Sequence, residues 1–167
     1  GEIPVSGSLL KQVDLAGTLQ AIVEQGADGF YQGKIAQQLV DSVIANGGVW
    51  SLQDLNQYQL VEREPGRFSF GSADFVTASL PSSGGVVLAS IFNMLEELKY
   101  SQAQPTQQIH LLVEAMRRAY RDRATYLGDV DYVDIPLQRL TSDAYAKELA
   151  SGISLEAASR SADIGEF

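Results

Sequence analysis

Five consecutive residues, Pro81-Ser82-Ser83-Gly84-Gly85, come closest to a chemical motif in this chain. An alternating, strand-like stretch precedes them and a strongly apolar helical pattern follows, so they join a strand to a helix. The two glycines let a ligand or another backbone approach closely. Free amides at the start of the next helix can hold an anion or an oxyanion. This is the layout of a nucleophile elbow, but the Gly-x-Ser-x-Gly pattern of that elbow is not met. Three readings therefore stand side by side: a tight turn that needs glycine and carries a serine cap, a wall of a nearby site, and a serine nucleophile.

The remaining chemistry-bearing groups are few. His110 is the one histidine, and Ile109, Leu111 and Leu112 around it suggest a packed or half-packed ring. As a general base it would need a nucleophile partner, and none stands at a recognisable spacing. Between Glu114 and Arg123 the charges are dense. Glu114 with Arg118, and Arg118 with Asp122, are i,i+4 pairs, which reads as a solvated helix face laced with weak ion pairs. Glu114 and Arg121 lie seven apart beside an apolar stripe, so the competing reading is that one or both form a buried pair with other parts of a larger protein. Phosphate binding is disfavoured by the charge balance. Asp129, Asp131 and Asp134 alternate as calcium ligands do, but the glycine and glutamate of a calcium loop are missing, so they read as solvated acids on a turn. No Gly-rich phosphate loop is present.

Composition narrows the classes further. The chain has 167 residues, 45% hydrophobic and 20% charged, with a net charge of -9. Those are globular values, and a chain of this size buries roughly 70% of its extended surface. The negative charge repels a polyanion at long range, so nucleic acid is not an expected partner. No apolar run reaches the roughly 18 residues that a membrane span needs. Cysteine is absent, which excludes disulfides, a thiol nucleophile and thiolate metal sites.

The elements that must position these groups follow from periodicity. A helix is expected from Asp14, as its cap, with Leu15, Leu19, Ile22 and Val23 on one face and Gly26 as its stop. A second is expected from Phe30 to Ala45, with Ile35, Leu39, Val43 and Ile44 inward, closed by Asn46-Gly47-Gly48. Ser51 to Asp54 resembles a capping box. Arg67–Phe70 and Phe75–Leu80 read as a hairpin across a Gly71–Asp74 turn, with Val76, Ala78 and Leu80 sharing a face. After Gly85 a helix carries Leu88, Ile91, Phe92, Leu95 and Leu98, broadened by Val87 and Met94. Thr106 is the expected cap of a long helix with Ile109, Leu112, Val113, Met116, Tyr120 and Leu127 inward, closed by Gly128. Residues 129–140 read as extended. Ser142 and its neighbours start a last clear helix that ends at Gly152. Residues 153–167 carry little pattern. The fold class is α+β, mostly helical with a β-hairpin.

Several stretches, taken in order, resemble one family. They are Asp14-Leu15-Ala16 with Leu19, Gly26 to Ala36, Gly47-Gly48, Asp54-Leu55 with Tyr58, and Glu62-Arg63-Glu64-Pro65. After them come Pro81 to Gly85, Glu114-Ala115, Ala119-Tyr120, Asp122-Arg123, Leu127-Gly128-Asp129, Tyr132-Val133 and Pro136. Each is weak alone, but their order and spacing over about residues 9 to 150 resemble the γ-glutamyltranspeptidase family of N-terminal nucleophile hydrolases. The resemblance implies a four-layer αββα sandwich and a precursor that cuts itself into a large and a small subunit. It implies a nucleophilic threonine at the start of the small subunit, whose own amine serves as base. That threonine attacks γ-glutamyl amides such as glutathione and passes the acyl group to water, an amino acid or a peptide.

Residues 1–167 resemble, as one segment, the C-terminal half of the large subunit. The family's Thr-Thr-His run would be expected shortly after Phe167, and Thr18, Thr77, Thr106, Thr125 and Thr141 do not sit in that context. The resemblance thus assigns no catalytic residue, metal or cofactor to this chain. It implies the rest of the large subunit and the small subunit as partners, and a small-molecule γ-glutamyl substrate for the whole enzyme. It also implies a periplasmic or secreted location. Val130 stands where the family usually has proline after Gly-Asp, a change of loop stiffness. The turn Ser82, Ser83, Gly84, Gly85 is the expected site-proximal element, and Gly84→Val would then impair maturation or activity of the whole enzyme. An isolated segment is expected to self-associate through the helix at 84–100 or the hairpin edge. The competing class is a freestanding binding domain or an inactive homologue.

Overall fold

The computed structural model describes residues 3–165, and these fall into two compact units that divide between Val61 and Glu62. The first unit is helical. Helix α1, Val13–Gln25, begins one residue before the expected cap, and Gln12 takes the cap position without a side-chain bond. Asp14 instead lies in the first turn, where its charge suits the positive end of the helix dipole. The helix buries none of its residues, and Leu15, Leu19, Ile22 and Val23 stay exposed. Gly26 ends it at φ 64°, donating its amide to Ile22. The expected helix from Phe30 to Ala45 is two helices, α2 at Asp28–Tyr31 and α3 at Gly33–Ala45. Extended Gln32 and Gly33 at φ 63° break it, a backbone shape that a continuous helix does not allow.

The buried positions of α3 are Ala36 and Val40, and they close a small core with Leu55. Ile35, Leu39 and Val43 are half-buried on the flank and Ile44 is exposed. Gly47, not Asn46, takes the left-handed dihedral after α3. Helix α4, Leu52–Asn56, starts with the expected capping box: Ser51 and Asp54 exchange side-chain and backbone bonds. Tyr31 and Tyr58 stack at 5.0 Å beside that core.

The second unit holds the hairpin, β1 at Gly66–Phe70 and β2 at Ala73–Thr77, paired antiparallel with Phe68 opposite Phe75. The turn is two residues, Gly71-Ser72, shorter than expected, and Gly71 at φ 58° supplies the twist a tight hairpin needs. That shorter turn fixes the register. Phe75 and Thr77 face inward while Val76 is exposed, the reverse of the alternation expected from Val76, Ala78 and Leu80. A one-residue slip exchanges the faces of a strand, and here the aromatic residues decide which face wins. Phe92 stacks on Phe70 at 4.6 Å and meets Phe75 at 5.1 Å, so the hairpin docks onto one helix.

That helix is α5, Gly84–Glu97. It buries Val86, Val87, Ala89, Ser90, Ile91, Met94 and Leu95, so it is buried on most sides as expected, although Leu88 is exposed. Its neighbours are α6, Pro105–Tyr126, and α8, Asp143–Ser151. Helix α6 starts with Pro105 and a box between Gln104 and Gln107, not with Thr106. It ends on extended Leu127, not on Gly128. Residues 129–140 are turns and a short helix α7, Leu137–Leu140, where an extended run was expected.

Helix α8 matches the expectation, with Ser142 accepting from the Tyr145 amide at 3.2 Å. Removing that acceptor strands a first-turn amide. Ser142→Ala is expected to cost about 1 kcal/mol, read as a lower urea midpoint with an unchanged m-value. Asn93 on α5 fastens the entry to α8 by donating to the Thr141 carbonyl at 3.0 Å. The tail that follows contains one more helix, α9 at Ser161–Ile164, and buries Ile153 and Ile164.

The largest departure concerns α6. Its buried residues are Leu111, Glu114, Ala115, Arg118, Ala119 and Asp122. The apolar side chains expected inward are partly outside: Ile109 is 67% exposed and Tyr120 50%, with Val113 and Met116 exposed between them. The helix is turned by roughly one residue step relative to the expectation. Ala115 and Ala119 are small enough to let α5 pack closely, which a row of Val113, Met116 and Tyr120 would prevent.

Candidate functional site

The turn at 81–85 enters after buried Leu80 and leaves as the first residues of α5. The Leu80–Pro81 peptide is cis. Neither serine caps the helix: Ser83 sits in the cap position with helical dihedrals and no cap bond. Its hydroxyl instead accepts from Arg123 Nε at 3.0 Å. Ser82 is exposed.

The two glycines differ. A β-carbon on Gly84 would meet only Ser82 Oγ, at 3.9 Å. One on Gly85 would stand 2.3 Å from Thr77 Oγ1 and 2.9 Å from the Ala78 carbonyl oxygen. The close backbone approach expected of this motif is therefore made at Gly85, against the end of β2. A β-carbon at Gly84 thus has space, and the packing constraint of the turn falls on Gly85.

The turn separates two concavities. One, of about 260 Å³, runs between the hairpin and α5 and is lined by Thr77, Leu80, Gly85, Ala89, Asn93 and Thr141 among others. Thr77 Oγ1, buried and without a hydrogen-bond partner, lies on its wall. The other, of about 370 Å³, is open and is formed by Pro81, Ser83, Arg123, Leu127 and Asp129. It sets a cation and a hydroxyl beside each other. Such a surface can bind or orient a polar group, and the hydroxyl of Ser83 is engaged by Arg123 rather than by the Asp129 carboxylate. His110 is far along α6 in sequence and its Nε2 lies 2.7 Å from the Ser154 carbonyl oxygen, so its ring is fixed by the tail.

The acids at 129–134 are a turn. Asp129 accepts from the Asp131 amide, and Asp131 pairs with Arg63 at 2.5 Å. Among the described residues no group of three or more His, Asp or Glu side chains is arranged to hold a metal.

The charged run on α6 is not a solvated face. Glu114 is 1% exposed and accepts from Arg117 Nη1 at 2.7 Å, Arg118 Nη1 at 2.6 Å and the Ser159 amide at 3.1 Å. Burial alone would raise its carboxyl. The bonds from Ser159, Arg118 and Arg117 outweigh that and hold it down at about 2. Asp122 pairs with its neighbour Arg121 rather than with Arg118, and its Oδ2 is buried without a partner. Arg121 also donates to the Tyr145 hydroxyl at 3.2 Å. Burial, with the Asp122 charge nearby, pushes that hydroxyl up to about 12, and Arg139 lies over the ring at 4.4 Å.

Glu114 is thus buried as the competing reading has it, but its ion-pair partners, Arg117 and Arg118, belong to its own helix rather than to other parts of a larger protein, and the i,i+4 pair with Arg118 is made in the interior rather than on a solvated face. The available signal was the pair of alanines at 115 and 119, on the face the charges share.

A family model described as Gamma-glutamyltranspeptidase matches residues 1–166. The glutathione hydrolase proenzyme of a Pseudomonas species is 43% identical over 163 residues, covering 95% of this chain and 28% of that relative. The crystal structure of Helicobacter pylori γ-glutamyltranspeptidase superposes with a TM-score of 0.83 at 38% identity, over 93% of this chain and 45% of that one. The Pseudomonas nitroreducens γ-glutamyltranspeptidase complexed with L-DON gives 0.85 at 34% identity, over 95% and 48%. These neighbours are N-terminal nucleophile hydrolases, so the helices and hairpin are a part of that fold. The chain spans about 28% of the length of the curated relatives it matches. With the family pattern running through both units, the chain belongs to the γ-glutamyltranspeptidase family.

Proposed function

We propose that residues 1–167 are one segment of the large subunit of a γ-glutamyltranspeptidase, and that this segment is structural rather than catalytic. The parent protein transfers or hydrolyses γ-glutamyl groups of glutathione and related amides. Its nucleophile is a threonine that becomes N-terminal when the precursor cuts itself, and that threonine lies outside these residues. The observation that carries the reading is the family match across 1–166 in a chain that covers so small a share of its relatives. The exposed stripes fit it. Leu15, Leu19 and Val23 on α1, and Ile109, Val113, Met116 and Tyr120 on α6, are surfaces that the remainder of the precursor would cover. The helix at 84–97 is already covered within its own unit, so these stripes, and not α5, are where an isolated segment would self-associate.

In this reading the open concavity beside Ser83 and Arg123 is a wall near the substrate, and Ser82, Ser83, Gly84 and Gly85 are its site-proximal turn. The compartment is the periplasm or the medium. One experiment addresses these points together. The full-length gene product is expressed, the cells are fractionated, and intact masses are taken under denaturing conditions. Two pieces are expected, outside the cytoplasm, with the smaller opening on threonine a few residues beyond the position of Phe167. The pair should release glutamate from glutathione. A single uncut product, inactive on γ-glutamyl amides, would replace this reading by the binding-domain or inactive-homologue one.

A further inference from the structure

Residues 152–165 carry little sequence pattern, yet one face of α6 grips them along their length. His110 Nε2 meets the Ser154 carbonyl oxygen at 2.7 Å. Arg118 Nη2 donates to the Gly152 carbonyl at 2.7 Å and to Ser159 Oγ at 3.0 Å. Glu114 accepts the Ser159 amide. Arg117 donates to the Ser159 carbonyl at 2.7 Å and to Ser161 Oγ at 3.1 Å, and Arg121 to the Ile164 carbonyl at 2.6 Å. The gripping residues sit at 110, 114, 117, 118 and 121, a helical spacing that makes one continuous stripe.

The grip is made chiefly of charge-assisted bonds to backbone, which fix a direction as well as a position. It ends at a defined bend. Gly165 has φ 113°, a conformation other residues rarely adopt, and a β-carbon there would press on Arg121 Cδ at 3.2 Å. The stripe and the bend together fix the path of residues 152–165 along α6.

We propose that Glu114, Arg117, Arg118 and Arg121 are positioning residues for maturation: they clamp residues 152–164 so that the peptide bond cut in the precursor is presented to its threonine. The proposal rests on the reading given under Proposed function, in which that threonine follows shortly after Phe167. Maturation is net hydrolysis of one peptide bond, consuming one water and leaving a carboxylate upstream and a free amine downstream. The clamp supplies none of those atoms. It restricts the approach geometry, and a loosely held chain visits the reactive arrangement less often.

The test uses the full-length precursor and follows cleavage by intact mass against time. Arg117→Ala removes two bonds to the tail. Ser159→Pro removes the amide that Glu114 accepts, from the tail side, and leaves α6 intact. Ser159→Ala keeps that amide and removes only the hydroxyl that accepts from Arg118. Arg117→Ala and Ser159→Pro are expected to slow self-cleavage by roughly tenfold or more, since one charge-assisted bond is worth at least the decade in rate. Ser159→Ala, which loses one bond to α6 where each of the others loses two, should slow it less than either. The enzyme that does mature should keep its kcat/KM within about twofold, a split that general misfolding would not produce, and proteases should nick 153–160 more readily in the slow precursors. Wild-type cleavage with unchanged rates in Arg117→Ala and Ser159→Pro overturns the clamp alone. A wild-type precursor that never cleaves overturns the clamp together with the reading beneath it.

Discussion

Replacing Glu114 by alanine is expected to destabilise the chain by about 3–5 kcal/mol, the cost of removing one partner from a buried ion pair. The reason is what stays behind. Arg118 is 6% exposed and would keep its charge with its carboxylate gone, and the Ser159 amide would lose its acceptor. Arg117 would keep its bonds to the tail, and it is partly solvated, so it suffers less.

The same carboxylate makes a pH prediction whose sign is settled by its environment. The folded-state pKa is held at about 2, below the ordinary 4.5. A depressed acid stabilises the fold above the ordinary value, and that stabilisation is lost as pH falls towards about 2. Urea midpoints of the wild type should therefore fall across that window. In Glu114→Ala the midpoint should start lower and this acid-dependent fall should shrink. Equal midpoints at neutral pH, or parallel acid limbs, would show that the cluster is not the buried pair described above.

Gly85→Val is the second large effect. The added β-carbon would overlap Thr77 Oγ1 and the Ala78 carbonyl oxygen. Thr77 could rotate its side chain, but the Ala78 oxygen belongs to the backbone that leads into the buried Leu80. Overpacking of this kind costs about 1–3 kcal/mol and more where backbone must move. The strand end and α5 would have to separate, and the Phe92 stack on the hairpin would open with them. Gly84→Ala, one residue away, meets open space and should match the wild type to within about 0.5 kcal/mol. A thermal or urea comparison of the two variants isolates the close approach from any general preference for glycine in the turn. Equal stabilities would refute the assigned contact.

Much of the fold was legible. The capping box at Ser51 and Asp54, the Ser142 cap, the Gly26 stop and the breadth of the α5 core all follow from local rules, because each depends on residues within one turn of each other. The hairpin was legible as a pair of strands but not in register, since the turn that fixes it is shorter than the sequence suggests and the inward face is held by Phe92, distant in sequence. The face of α6 was missed for a related reason. Periodicity weighs side chains by hydrophobicity and so favoured Ile109, Val113 and Tyr120. It cannot see that Glu114 and Arg118, paired with each other, find further partners in the featureless tail at 152–159. At residues 81–85 the turn between strand and helix was readable from its glycines and the patterns on either side. Which glycine makes the close approach required coordinates.

The tail's attachment has a thermodynamic character of its own. Between Ser154 and Asp163 no side chain is buried, while the polar bonds to α6 are many. Lifting this stretch alone therefore uncovers little hydrocarbon, and its opening carries a small heat-capacity change and a weak dependence on denaturant. The rest of the unit, closed around Met94 and Leu111, behaves in the opposite way. One unit thus contains two locks of different kinds: a hydrophobic one that heat and urea release, and an ionic one that yields to acid.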